Sequence, residues 1–227
     1  MAMQILWLLF IAGSMAQEDM DKKVFLFPSQ SPSDYVVLKP MVTGPLDKLT
    51  ACLRSYTDRG GSPLLTVGIP VSQIRNVFSI FQFNIDYSQK YFYSKIYVNN
   101  MAVTIHASVD VLDWNHICVT WDSNTGVLQL WVNGKLSPLT VLQKGFSIDL
   151  QDGISLGQMQ KYLDPEWDPN ASFQGEITDV HMWNKVLPPE EIEQVQRNYL
   201  YTDGNVVSWR SLRYTIIGDV IVQPKLY

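Results

Sequence analysis

The sequence predicts an all-β fold, a sandwich of sheets with one helix on a face. Three observations carry that prediction. Short runs rich in β-branched and aromatic residues recur along the chain with turn residues between them. One stretch alone has helical periodicity. The chain has no internal repeat, low-complexity tract or linker, and all-β folds of roughly 200–250 residues are often one domain.

The elements follow in order. Ile5 to Ala12 is an apolar run of 8 residues, too short for a bilayer, which needs roughly 20. Gly13-Ser14-Met15-Ala16 and the polar Gln17-Glu18-Asp19 come next. That pattern predicts a secretory signal peptide over residues 1–16 and a mature domain over 17–227, secreted and without a membrane span. A mature chain starting at Gln17 can cyclise to pyroglutamate. Strands are expected at Thr50–Tyr56, Val77–Phe83 and Tyr91–Val98. His116–Trp121 is the next strand, Asn124-Thr125-Gly126 its turn and Val127–Val132 the return. Asn133-Gly134 reads as a type I′ turn into Lys135-Leu136, because both central positions need positive φ. The helix is expected after Pro188-Pro189, over Glu190 to Arg197, with early glutamates at the positive end of its dipole. Ile192, Val195 and Tyr199 share one face, which predicts a helix lying on a sheet.

Composition excludes several function classes. The 227 residues carry 17 Lys plus Arg and 22 Asp plus Glu, a net charge of −5, so no basic stripe for nucleic acid is expected. Hydrophobic residues make up 46%, too many for a disordered chain. The two cysteines, Cys52 and Cys118, cannot build a four-thiolate zinc site. In an oxidising compartment such a pair reads as a disulfide. Closing a loop of 66 residues adds about 4 kcal/mol in the chain-entropy account.

No catalytic residue is assigned. His116 and Cys118 sit at i and i+2, on one face of a strand, but a bridged sulfur cannot attack. No G-x-S-x-G elbow or H-E-x-x-H helix occurs. Asp164-Pro165-Glu166-Trp167-Asp168-Pro169 alternates carboxylates as some glycosidases do, yet its prolines predict a loop that would not hold an acid and a nucleophile rigidly. As an EF-hand the run lacks the sixth-position glycine (Pro169) and the twelfth-position glutamate (Gly175). Asn170-Ala171-Ser172 is the single N-glycosylation acceptor, which predicts a surface loop.

His116-Ile117-Cys118-Val119-Thr120-Trp121-Asp122-Ser123 resembles the signature H-x-C-x-[ST]-W-x-[ST] of the pentraxins, the secreted family of C-reactive protein and serum amyloid P component. All five defined positions match. Lys23-Val24-Phe25-Leu26-Phe27-Pro28 is similar to the family's K-x-F-x-F-P opening. Leu130 to Lys135, Leu156-Gly157-Gln158, Gly175-Glu176-Ile177, Met182-Trp183 and Asn205 to Trp209 fall in family order. The resemblance implies a two-sheet lectin-like jelly roll with one helix and a Cys52–Cys118 bridge. It also implies cyclic homo-oligomers, usually pentamers, and two Ca2+ ions per subunit bridged by a ligand's phosphate or carboxylate.

Carried over residue by residue, the calcium site is depleted. Arg75-Asn76 stands where the family has Asp-Asn. Gly157-Gln158-Met159-Gln160-Lys161 replaces G-Q-[ED]-Q-D, Asp168 matches an acidic bridging ligand, and Ala171 replaces a glutamine. Asn76, Gln160 and Asp168 remain as metal ligands. Calcium wants six to eight oxygens with carboxylate charge. Arg75 and Lys161 add positive charge, and a unit like-charge pair at 4 Å costs about 4 kcal/mol at an effective dielectric of 20. A two-calcium site of the family kind is therefore not expected; a weaker single site at Asp164, Glu166 and Asp168 stays open. Phe81 matches the apolar wall of the family's choline pocket, but the acid expected there aligns near Ala102.

The resemblance implies a non-enzymatic, acute-phase-like protein of humoral innate immunity. It would recognise phosphorylated or carbohydrate ligands on microbial or damaged-cell surfaces through multivalency, with complement as a partner. Phe81, Arg75 and Lys161 are the candidate ligand contacts; the two cations either meet an anionic ligand directly or are solvated on a decayed site. A structural egg-coat or mucus pentraxin is the alternative, and a glycosidase on the same fold the more distant one.

Overall fold

The structure, a computed structural model, describes residues 17–68, 77–83, 91–108, 112–151, 153–160, 167–199 and 202–226. In chain order the strands are β1 (Lys23–Phe27), β2 (Tyr35–Leu38), β3 (Lys48–Tyr56), β4 (Ser62–Val67), β5 (Phe78–Phe83), β6 (Tyr91–Val98), β7 (Met101–Ser108), β8 (Asn115–Asp122) and β9 (Val127–Val132). They continue with β10 (Lys135–Leu136), β11 (Thr140–Val141), β12 (Ile154–Leu156), β13 (Gln158–Gln160), β14 (Trp167–Ser172), β15 (Gly175–Trp183), β16 (Tyr214–Ile217) and β17 (Ile221–Pro224). The helix α1 spans Pro189–Gln196, and Trp209–Ser211 forms a short 3-10 turn.

Two antiparallel sheets face each other. The first runs β10-β9-β8-β3-β15-β1-β17, with β11 also on β9; the second runs β16-β2-β12-β4-β5-β6-β7; β13 and β14 form a separate two-stranded arm. Period-2 alternation supplies the core. β8 sends Ile117, Val119 and Trp121 between the sheets and turns His116 and Cys118 outward. Phe25, Phe27, Phe78, Trp121, Phe173 and Trp209 are fully buried, and each such side chain contributes about 1.5–3 kcal/mol by leaving water.

The expected hairpins form. Asn133 and Gly134 both take positive φ, 49° and 76°. The Asn133 side chain also accepts from the His116 backbone N–H at 2.8 Å and donates to Asn115 Oδ1 at 3.0 Å, tying the turn to the strand beneath it. Two of the motif fragments meet at Gly157. A Cβ there would lie 2.3 Å from the Phe27 ring, so the Phe27 of the opening motif demands the bare backbone of the Leu-Gly-Gln motif.

Two expectations change. Ile192 and Val195 are buried, but Tyr199 lies beyond the end of α1 and is 52% exposed. Asn198 takes a left-handed φ of 51° and stops the helix first. The helix carries no base of its own in the last turn; Arg54 of β3 donates to its terminal carbonyl at Gln196 instead. The Asp164–Pro169 loop is shorter than expected, because Trp167–Ser172 pairs with β13 as a strand. Pro169 is tolerated because a two-stranded arm is edge on both sides, and the register shifts between Gln158 and Gln160.

Candidate functional site

The signature residues of β8 form a sealed cluster. Cys52 and Cys118 are directly opposite in the β3–β8 register and form a disulfide. Helix α1 covers it, packing Ile192 and Val195 with Trp131, Trp183 and Leu187 over the two sulfurs. Thr50 fastens the approach to the helix: its hydroxyl donates to Lys185 O at 2.7 Å and accepts from Leu187 N at 2.9 Å. His116 Nε2 lies 3.5 Å from Cys118 Sγ. Burial, helped by the nearby Arg54 charge, pulls the His116 pKa down to about 3. The imidazole is therefore neutral, and its sulfur neighbour is bonded, so this pair has no activated nucleophile.

His181, opposite Cys52 on β15, is a second buried imidazole. Its Nδ1 accepts from the backbone N–H groups of Gly204 at 3.3 Å and Trp209 at 3.4 Å. Those donors need an unprotonated Nδ1, and burial lowers the pKa to about 4. Trp183 Nε1 donates to Asp203 O, the Asn184 backbone N–H donates to Asn205 Oδ1, and Asn205 Nδ2 donates back to Asn184 Oδ1. The late Asn205–Trp209 motif is thereby sewn to Met182-Trp183. A cleft of about 450 Å³ opens between α1 and this segment, lined by Trp183, Lys185, Glu191, Asp203 and Asn205 among others. Among the described residues, none of the ligand residues expected from the sequence lines it.

Of those residues, Phe81 lies on the second sheet, and Gln160, Asp168 and Ala171 lie on the two-stranded arm. Arg75, Asn76, Lys161, Asp164 and Glu166 fall outside the described residues, as does the expected signal peptide. Asp168 and Asn170 are in β14, and Ala171 is buried there. Gln160 ends β13 and is buried, with its side-chain amide 3.5–3.8 Å from where a Cβ on Gly68 would stand, at the end of β4. Two residues back along β4, Thr66 pairs with Ser79 of β5, and the hydroxyls of both are buried without a partner. Ser155 donates to Gly68 O at 2.7 Å. Among the described side chains, this position thus offers amide and hydroxyl oxygens and no carboxylate. The described oxygens alone do not supply the carboxylate charge that calcium prefers; residues 75, 76 and 161 and the side chain of Asp168 are not among those described. The one cluster of three His, Cys, Asp or Glu ligand atoms among the described residues is Cys52, His116 and Cys118, and its sulfurs are joined.

Phe81 stands half-buried on β5, opposite Pro63 of β4 and Lys95 of β6. Ala102 is exposed on β7 opposite Tyr97, past the Asn99-Asn100 turn whose φ values are 48° and 61°. Phe81 does not stand alone, which reasoning on the sequence missed. It stacks on Phe83 with centroids 6.1 Å apart, and Phe83 stacks on Tyr93 at 5.6 Å. Tyr93 meets His106 edge-on at 5.2 Å, and Lys95 Nζ sits 5.3 Å from the Tyr97 ring centroid. The signal was present as the every-second-residue spacing Phe81, Phe83 and Tyr93, Lys95, Tyr97, which puts each set on one strand face.

The chain matches the Pentaxin family model over residues 23–224. It is 41% identical over 221 residues to the C-reactive protein of Xenopus laevis, covering 97% of this chain and 90% of that one. It is 35% identical over 217 residues to the serum amyloid P-component of Rattus norvegicus, covering 96% and 92%. Among solved structures, the native heptameric SAP-like pentraxin from Limulus polyphemus superposes with a TM-score of 0.79 at 21% identity, over 92% of this chain and 97% of that chain. At that identity the likeness concerns the fold, the lectin-like jelly roll. The signature on β8, the bridge beneath the helix, the Phe27–Gly157 contact and these matches together establish that this chain belongs to the pentraxin family.

Proposed function

We propose that this chain is a secreted pattern-recognition pentraxin, released by removal of residues 1–16 and folded over 17–227 as one domain. It assembles as a cyclic homo-oligomer, a pentamer by family habit, and binds anionic, phosphorylated or sugar-bearing surfaces by avidity, with complement as a downstream partner. The observation that carries this reading is the family match across residues 23–224 combined with a ligand face left open on the second sheet. Met101, Leu136, Leu139 and Val141 are exposed apolar side chains that a contact between subunits would cover. The chain acts as a binder and not an enzyme: the Cys–His pair is bridged and buried. Asn170 carries the glycan.

In this reading, calcium is not the principal ligand-bridging group. The described donors near Gly68 are neutral, and Arg75 and Lys161 replace acids in the adjoining segments. Asn76, Gln160 and Asp168 are a remnant set, while Arg75, Lys161 and Phe81 face the ligand. Calorimetric titration of the purified protein with calcium tests this. No two-site isotherm in the micromolar range is expected, and such an isotherm would overturn it. Sedimentation equilibrium reads the ring directly; a mass equal to one subunit refutes assembly, and five against seven subunits decides its size.

A further inference from the structure

Beneath α1 the first sheet brings three metal-binding side chains to one point. Cys52 of β3 and Cys118 of β8 are cross-strand partners, and His116 lies two residues before Cys118 on the same face of β8. One ligand atom from each, the two Sγ atoms and an imidazole nitrogen, all lie within 4.8 Å of one another, and all three residues are buried. His116 Nε2 is 3.5 Å from Cys118 Sγ. Zinc–sulfur and zinc–nitrogen bonds of about 2.3 and 2.0–2.1 Å hold tetrahedral ligand atoms about 3.5–3.8 Å apart. The histidine therefore already stands at ligand distance from this sulfur. Its Nδ1 is buried with no hydrogen-bond partner, and its Nε2 faces the sulfur. A buried imidazole that loses its hydration and gains no ordinary hydrogen bond calls for another role.

The disulfide withholds both sulfurs for as long as it stands. A dithiol reductant gives two electrons to the bond, leaving thiols on Cys52 and Cys118 while the reductant itself becomes a disulfide. A divalent ion then displaces the two thiol protons. Two thiolates with one imidazole suit zinc rather than calcium. The thiolates cancel the charge of the ion, so the loaded site adds no net charge beside Arg54, which pairs with Asp179 at 3.0 Å. The covering side chains, Trp131, Trp183, Leu187, Ile192 and Val195, offer no further ligand, so the fourth position falls to water. A way in is present: a cleft of about 250 Å³ lined by Trp131, Ile192, Glu193 and Gln196 among others opens beside the cluster.

We propose that Cys52, Cys118 and His116 form a latent zinc site, opened by reduction of the disulfide and entered through the cleft beside α1. Zinc then takes over the link between β3 and β8 that the disulfide supplied, and α1 keeps its seat. His116 Nδ1 has no carboxylate or carbonyl partner. Such a partner is worth about 10–100-fold in metal affinity, so this site is weaker than a structural zinc site. Because the ion binds the dithiol and not the disulfide, zinc holds the protein in its reduced form by mass action. The site is on the first sheet and does not depend on what the second sheet recognises.

The test uses the full secreted protein, reduced with a phosphine and assayed to show that both cysteines are free thiols. Titration with cobalt(II), a spectroscopic stand-in for zinc, should give the intense bands of a thiolate-bound ion, and zinc should displace it at one ion per subunit. The oxidised protein should give no such bands, which separates this site from any ion on the second sheet. His116→Gln should still form the disulfide but, once reduced, bind zinc at least about tenfold more weakly. Free thiols without thiolate bands overturn the proposal. Zinc binding that His116→Gln leaves unchanged overturns the three-ligand site. If reduction unfolds the chain, zinc should restore its circular dichroism. A reduced chain that stays unfolded in zinc, or binds zinc as tightly in urea, shows that the fold does not build the site.

Discussion

The two outer faces of this sandwich are built in opposite ways. On the first sheet, helix α1 lies over the Cys52–Cys118 bridge, with Trp131 and Trp183 beside it, and His116 sits buried against Cys118. On the second sheet no helix covers β5–β7 among the described residues, and aromatic rings stand half in water with one lysine between them. The residues with the greatest intrinsic reactivity, a histidine beside sulfur, are on the closed face, where burial and bonding silence them. The half-buried aromatic rings and Lys95 are on the open one.

Breaking the bridge should have the largest effect on the closed face. Cys118→Ala removes about 4 kcal/mol of loop constraint, a fall in melting temperature on the order of 10 °C by calorimetry. A shift under 2 °C would show that helix packing, and not the bridge, holds this face.

Acid should come next. His181 is neutral in the fold with a pKa near 4, against about 6.5 in an unfolded chain. Between those values the unfolded chain binds the proton and the folded chain refuses it. Its contribution is therefore whole above about pH 6.5 and lost as pH falls toward 4, on the order of 3 kcal/mol. His116, with a pKa near 3, pushes in the same direction to lower pH. Urea unfolding at intervals from pH 4 to 7 should show this slope, and His181→Gln should flatten it.

Thr50→Val leaves Lys185 O and Leu187 N without their shared partner. It should cost about 1–2 kcal/mol and, in hydrogen exchange, loosen α1 more than the second sheet. The open face should give the smallest stability change: Tyr93→Ala removes a cross-strand pair worth less than about 1 kcal/mol. If that variant unfolds the protein as readily as Cys118→Ala does, the aromatic ridge is a structural support and the contrast between the faces fails.

Much of this was legible in the residues because it is local. Asn133-Gly134 had to turn, since two positive φ values in a row favour those residue types. Pro189 and its glutamates had to start a helix. The replacement of acids at the positions the resemblance assigns to calcium is a reading of the residues alone, since Arg75, Asn76 and Lys161 lie outside the described residues. The end of α1 was harder, because Tyr199 continued the apolar period while Asn198 broke the backbone before it. β14 was missed because its proline forbids a central strand, and only pairing with β13 as an isolated arm makes room for it.

By itself, the sequence determined the strand-rich class, the hairpin turns and the helix, all set by dihedral preference and side-chain period within about ten residues. Which outer face would be sealed and which left open was decided only by the tertiary structure. That outcome depends on register between strands far apart in the chain: Cys52 against Cys118 under α1 on one sheet, and β5 against β6 and β7 on the other. Alternation places a side chain on a face, but only the assembled sheets determine what, if anything, covers it.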